Sequence, residues 1–454
     1  MTELNQQGKE SNMPDRRQFL RNAASMAALG AVGTGMLLNA CSSDRTKRVV
    51  SPVFLNQAPE GRTLKVGLVG CGGRGTGALF NFLDSGPGIE ITALADVFED
   101  RMTRCRAELK NNANVEVADE KCFQGIDGYQ QLMETDVDVV ILATPPYFRP
   151  AQFEAAVRAR KHVFMEKPVS VDPVGSRAIM AASRMADAAG LKVGVGTQRH
   201  HQRDYLTTLE YVRAGYIGDF TAANCYWNQG QLWYHTPQPG WSDMEAMLRD
   251  WVNWNWLSGD HIVEQHMHNI DVINWFKQDH PVKAVGMGGR HRRPTGDQYD
   301  FFSVDFVYDD GTHMHSMCRQ IDGCANNVSE FIIGTKGKTN CQNYIRDLKG
   351  NTLWEYPYQQ EGWGPDGQPT GEVVVNPYLQ QTIDLVAAIR NNTPYNEAEQ
   401  CAISTLTAIM GRVSAYTGRE VTWEEMMNSS MRLGPEKVVM GPSNIRAIIP
   451  VPGT

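Results

Sequence analysis

Three side chains in this sequence are of the types, and have the neighbours, needed to move a proton on and off an alcohol. Lys167 follows Phe164-Met165-Glu166 and precedes Pro168. The apolar run reads as a strand end, and the proline restrains the backbone carrying the ammonium, which suits acid–base work. An ordinary surface lysine at a strand end is the competing reading. Glu264 and His268 lie in the segment from Ser258 to Asp271. If that segment is helical after Gly259, then His261, Glu264, His268 and Asp271 stand at i, i+3, i+7 and i+10 on one face. Four ionisable residues do not make a core stripe. Glu264 beside His268 suits a histidine that takes a proton from an alcohol. The same face suits a divalent metal held by His261, Glu264 and His268, or a polar structural helix.

Proton chemistry of this kind needs an electron acceptor, and a second motif is consistent with one. Gly70, Gly72 and Gly75 stand at GxGxxG spacing after the apolar run Leu64 to Val69. The first glycine permits a tight turn, the second lets backbone N–H groups approach a pyrophosphate, and the third lets a helix pack on the strand. Gly73 and Arg74 belong to the same turn. Ala78, Leu79, Phe82 and Leu83 form one helical face, and a strand from Ile89 delivers Asp96 about twenty residues past Gly75. Asp96 can accept hydrogen bonds from a ribose 2′-hydroxyl and repels a 2′-phosphate, so NAD is expected over NADP; Arg101 is the residue that keeps NADP open.

Alternating strands and helices continue, with strands at Asp138 to Ala143, His162 to Met165 and Lys192 to Gly196. Ligands of such sheets lie beyond the strand carboxyl ends, which selects Thr144, Pro145, Glu166 and Lys167 for the cofactor and Gln198, Arg199, His200 and His201 for substrate. From about residue 200 strand-like runs with tight turns predict a mostly antiparallel sheet, followed by helices at Tyr378 to Arg390, Ala402 to Tyr416 and Thr422 to Asn428. The expected fold is α/β, a doubly wound parallel Rossmann domain at 63–198 and an α/β domain with an open sheet at 199–454.

The glycine turn, Glu166-Lys167-Pro168 and the Glu264-to-Asp271 segment together resemble the glucose-fructose oxidoreductase and inositol dehydrogenase (Gfo/Idh/MocA) family. The resemblance covers nearly all of the chain beyond residue 62. It implies a Rossmann domain followed by an open-sheet domain, with Lys167, Glu264 and His268 in the catalytic roles. The family pattern more often has Asp at the position of Glu264, and a small residue at that of His266.

Six of the ten tryptophans (Trp227, Trp233, Trp241, Trp251, Trp254 and Trp256) crowd one stretch among amides and carboxylates. Such a surface suits sugar rings, with Trp233, Trp256, His261 and Asp271 as expected contacts; an oligomer interface is the equal alternative, and a homo-oligomer is expected. With 43 Lys and Arg against 51 Asp and Glu, the net charge is −8. No basic stripe is present for nucleic acid. The nine cysteines lack zinc-ribbon spacing and read as buried free thiols.

Residues 1–40 read as an address. Arg16-Arg17-Gln18-Phe19-Leu20-Arg21 has the twin-arginine pattern, a weakly apolar stretch follows, and Leu38-Asn39-Ala40-Cys41 resembles a lipobox. Cys41 is the expected lipid anchor, residues 41–62 a linker or arm, and the destination periplasmic or membrane-anchored. The combined expectation is an exported oxidoreductase with tightly bound NAD acting on a ring hydroxyl of a sugar or glycoside. An NAD-dependent glycosidase working by oxidation, elimination and reduction is the alternative, and a non-catalytic sugar-binding protein is a third.

Overall fold

The computed structural model describes residues 47–358 and 375–454. The twin-arginine run and Cys41 lie outside the described residues. Six strands, β1 (Leu64–Val69), β2 (Ile89–Asp96), β3 (Cys122–Gln124), β4 (Val139–Leu142), β5 (His162–Met165) and β6 (Val193–Val195), form a parallel sheet in the order 3-2-1-4-5-6. β1 lies between β2 and β4, which explains why its run is almost wholly buried. The order reverses between β1 and β4, and a ligand crevice opens at that point in doubly wound sheets.

The second sheet contains β7 (Phe220–Gln229), β8 (Pro281–Gly289), β9 (Phe301–Tyr308), β10 (His313–Gln320), β11 (Asn327–Gly334), β12 (Gly337–Thr339), β13 (Tyr344–Asp347), β14 (Thr352–Glu355) and β15 (Val421–Thr422). Its order is 14-13-12-11-7-10-9-8-15, antiparallel except where β7 runs parallel to β10. β9 and β10 alternate buried and partly exposed residues, so one face meets the core. The helix Ala398–Thr417 packs on that face, where Gly286 N donates to Ser414 Oγ at 2.8 Å.

Two features depart from the pattern read along the chain. The helix Pro377–Arg390 returns to the first sheet, where Ile383, Leu385, Val386 and Ile389 join Leu64, Val66, Ile141 and Phe164 in one apolar cluster. The arm is docked from Lys47 onward: Lys47 N bonds Ala214 O at 2.9 Å, and Arg203 Nη2 bonds Asn56 Oδ1 at 2.5 Å. All eight described cysteines are free and six are buried, as expected of structural thiols.

Candidate active site

The crevice begins at Gly70, whose φ of +97° suits glycine and whose Cβ would sit 2.7 Å from the Ala143 carbonyl carbon. At Gly75 a Cβ would lie 2.0 Å from Gly70 O, so only glycine lets the helix Gly73–Asp84 approach the strand. That helix has no side-chain cap and no acid in its first turn. Its free N–H groups face space left open at Gly72 and Gly73, an arrangement that suits an anion. The cavity there has a volume of about 410 Å³ and is lined by Gly70, Gly72, Gly73, Arg74, Gly75, Asp96, Arg101, Thr144 and Pro145. Every residue expected at the pyrophosphate and ribose therefore shares one wall. Asp96 accepts from Cys71 N at 2.6 Å and Phe98 N at 2.9 Å, which leaves lone pairs for ribose hydroxyls. Burial raises its pKa, and the two backbone N–H groups oppose that shift. These features fit a dinucleotide.

The opposite wall comes from the second domain. Trp233, His235, Arg249 and Trp251 line the same cavity. Arg249 bonds both carboxylate oxygens of Asp100, at 2.9 and 3.2 Å, and lies 4.0 Å from the centroid of the Phe98 ring. This segment thus forms a cover latched to the start of the helix Glu99–Ala113, just after β2. Trp233 lines this cavity and not the one that contains Lys167 and His268.

An adjoining cavity of about 280 Å³ shares Arg74, Ala143, Thr144 and Trp251 with the first and contains Lys167, Glu264, Gln265, His268, Gln198 and Trp227. Lys167 Nζ donates to Glu264 O at 2.5 Å and approaches Glu264 Oε1 at 3.2 Å. Lys167, Glu264 and His268 therefore meet, although 97 residues separate the first two. The expected partnership is corrected in one respect: Glu264 pairs with Lys167, not with His268. Among the described residues neither ring nitrogen of His268 has a hydrogen-bond partner, and its ring stacks on Trp227 at 5.7 Å and 18°. Burial, then the positive charges of Lys167 and Arg199, hold its pKa well below the usual histidine value, so it is neutral at pH 7. Glu166 receives Arg74 Nε at 2.7 Å, and the Arg74 guanidinium lies over Tyr378. This pair walls the junction between the two cavities.

Other expected contacts fall outside this cavity. The segment is not one helix, because Asp260 (φ +71°) caps a turn His261–Glu264 and a new helix starts at Met267. His261 consequently faces the second sheet, bonded to Asp260 at 2.9 Å and tilted against Phe302. Among the described residues no three His, Cys, Asp or Glu side chains are placed to hold a metal ion, so the His261, Glu264, His268 metal reading loses its geometry. Asp271 is buried between His200, at 2.6 Å, and Ser404, at 2.6 Å. His200 also stacks on Trp275, and Arg199 pairs with Glu330 at 2.9 Å and with Asn269. His201 is enclosed by Asp384 and Glu397. Arg199, His200, His201, His261 and Asp271 line neither cavity. Trp256 is core, edge-on to Tyr147 at 4.9 Å. Chain spacing gave no signal for Gln265, Tyr378 or the Arg249 latch, and Trp227 stood out only as one tryptophan among six.

A Rossmann sheet with an adjoining proton-handling cavity defines a nicotinamide-dependent oxidoreductase. Residues 64–197 match the oxidoreductase family with an NAD-binding Rossmann fold, GFO_IDH_MocA. Through this domain, about a third of its length, the chain is similar to the Gfo/Idh/MocA family. It is 26% identical over 354 residues to a glycosyl hydrolase family 109 protein of Solibacter usitatus, covering 70% of this chain and 73% of that one. A second protein of that description, from Shewanella sp. (strain ANA-3), is 30% identical over 220 residues, 45% of this chain and 44% of that one. The scyllo-inositol dehydrogenase of Lactobacillus casei, solved with NAD(H) and scyllo-inositol, has the same fold. Its TM-score is 0.58 at 21% identity, over 79% of this chain and 99% of that one.

Proposed function

We propose that this protein is an exported oxidoreductase that transfers hydride between a tightly held NAD and a ring hydroxyl of a sugar or glycoside. The observation that carries this reading is the meeting of Lys167 and His268 in a cavity continuous with the glycine-lined crevice. When bound, NAD supplies the hydride acceptor. The chain's own residues then have the proton to manage. Lys167, anchored on Glu264, donates a hydrogen bond to the substrate oxygen and stabilises the charge that develops there. His268, neutral and without a competing hydrogen bond, receives the hydroxyl proton, and Trp227 fixes the plane of its ring. Trp251 and the Arg74–Glu166 pair narrow the passage between the two sides and limit water.

The sugar class is supported by the inositol dehydrogenase likeness and by the glycosyl hydrolase relatives. Those relatives favour a second reading, in which oxidation, elimination of the aglycone and reduction give net hydrolysis. Tight retention of NAD is supported by the latched cover and fits a protein sent, by Arg16 and Arg17, to a compartment without a cofactor pool. Lipidation at Cys41 and a homo-oligomer belong to the same proposal. The exposed Val285, Met287 and Phe301 on the outward sheet face are candidates for the subunit contact.

The test begins with mass spectrometry of what the denatured protein releases, then incubation of the holoprotein with a panel of methyl and aryl glycosides. NAD should be released, and the bound cofactor should gain the absorbance of reduced nicotinamide on adding substrate. A keto-glycoside supports the first reading and a free sugar the second. Lys167→Met and His268→Gln should each lower turnover by about 10²- to 10⁴-fold with NAD retained. Wild-type turnover in both variants refutes the assignment.

A further inference from the structure

Gln265 lies between Glu264 and His268, at the break between the turn His261–Glu264 and the helix that starts at Met267. Its side chain lines the substrate-side cavity. Behind it runs a ladder of amides. Gln265 Oε1 accepts from Gln229 Nε2 at 2.6 Å and from Gln320 Nε2 at 2.9 Å. Gln229 Oε1 in turn accepts from Trp227 Nε1 at 2.9 Å, and Gln320 Oε1 accepts from Arg293 Nη2 at 2.5 Å.

The two ends of this ladder fix its polarity. An indole N–H and a guanidinium can only donate. Gln229 and Gln320 must therefore turn their oxygens outward to Trp227 and Arg293, and their NH₂ groups inward to Gln265. Gln265 has no choice left: its oxygen is occupied by two donors and its NH₂ faces away from the ladder. Among the described residues that NH₂ has no acceptor, and Gln265 lines the cavity that holds Lys167 and His268. A cavity-side donor thus stands beside the position where Lys167 and His268 work.

We propose that Gln265 is a specificity-determining residue: its NH₂ donates to an oxygen beside the reacting carbon, and the site selects a ring that carries a hydroxyl on the carbon next to the one oxidised. The inference rests on the sugar-oxidoreductase reading and adds the pattern of hydroxyls read. A hydroxyl at that position accepts the hydrogen bond, whereas a deoxy position leaves the NH₂ covered and unpaired. The ladder also couples recognition to the base, because Trp227, at one end of it, is the ring that holds His268.

The test compares methyl glucoside with its monodeoxy analogues in the wild-type holoprotein, in Gln265→Glu and in Gln265→Met. Gln265→Glu keeps an oxygen for the ladder and replaces the outward donor by an acceptor; retained NAD and an unchanged melting profile establish that it is folded. Wild type should lose about 10- to 100-fold in kcat/KM on one monodeoxy analogue. Both variants should lose a similar factor on the parent and react with parent and that analogue equally. Discrimination as large in the variants as in wild type overturns the assignment of Gln265. Calorimetric binding of methyl glucoside separates this from the underlying reading: wild type with neither binding nor turnover overturns the sugar function, and this inference with it.

Discussion

The cover over the dinucleotide crevice gives a quantitative prediction at Arg249. Arg249→Ala removes the contacts that tie the segment bearing Trp233 and Trp251 to the first domain. Asp100 is 60% exposed, so its two bonds to Arg249 contribute at most about 1 kcal/mol despite their geometry. The guanidinium over Phe98 adds about 0.5–1 kcal/mol. The bond to Glu245 is internal to the helix Asp243–Arg249 and does not hold the cover to the first domain. Together the latch resists opening by about 1–2 kcal/mol, and its loss should accelerate release of bound NAD by about 5- to 30-fold. The assay incubates holoprotein with a large excess of isotopically labelled NAD and follows the label in the bound fraction by mass spectrometry. Asp100→Asn, which removes only the ionic part, should give about a two- to fivefold effect. Arg249→Lys should fall between, because an ammonium lacks the planar fork. Exchange in Arg249→Ala at the wild-type rate would refute the argument that this segment retains the cofactor.

Three further outcomes are expected. Burial disfavours a charged His201, but Glu397 and Asp384 outweigh it and raise its pKa to about 10, so its contribution is complete below pH 6.5 and lost as pH rises toward 10. His201→Leu should therefore cost about 3–5 kcal/mol in urea unfolding at pH 7, and less above pH 10. Burial lowers His266 to about 3 and His162 to about 4, the opposite sign; each group binds its proton in the unfolded chain first. Stability should fall as pH drops below 6.5, by up to about 1.4 kcal/mol per pH unit for each group, and His162→Gln should lessen the slope in melts between pH 7 and 4. Gly75→Ala should yield protein depleted of NAD and destabilised by about 1–3 kcal/mol, read by mass spectrometry and melting, because its Cβ collides with Gly70 O.

The first domain was legible because each of its strands is a short apolar run between helical stripes, a pattern that arises when a parallel sheet is covered on both faces. Strands β9 and β10 were legible through their alternation. The missed elements were β3 and β12 to β15, which are two to four residues long and too short to establish a period. The helix Asp243–Arg249 was missed for the same reason, although Ser242 caps it by accepting from Glu245 N. The one-face helix at His261 to Asp271 failed because a regular helix was assumed through Gln265. Asp260, held at positive φ, and the break after Glu264 rotate His261 into the second sheet.

The sequence by itself determined the chemistry available. Gly70 and Gly75 can be read from spacing because the positive φ of Gly70 and the contact of Gly75 with Gly70 O arise within one short turn, and Lys167, Glu264 and His268 stand out by residue type. Tertiary structure alone decided their partners: Glu264 to Lys167, Trp227 to His268, Arg249 to Asp100, and Gln265 turned by Gln229 and Gln320. Hydrogen bonds and ring contacts act over a few ångströms of space, and which distant segments come that close depends on how two sheets pack, which no local spacing encodes.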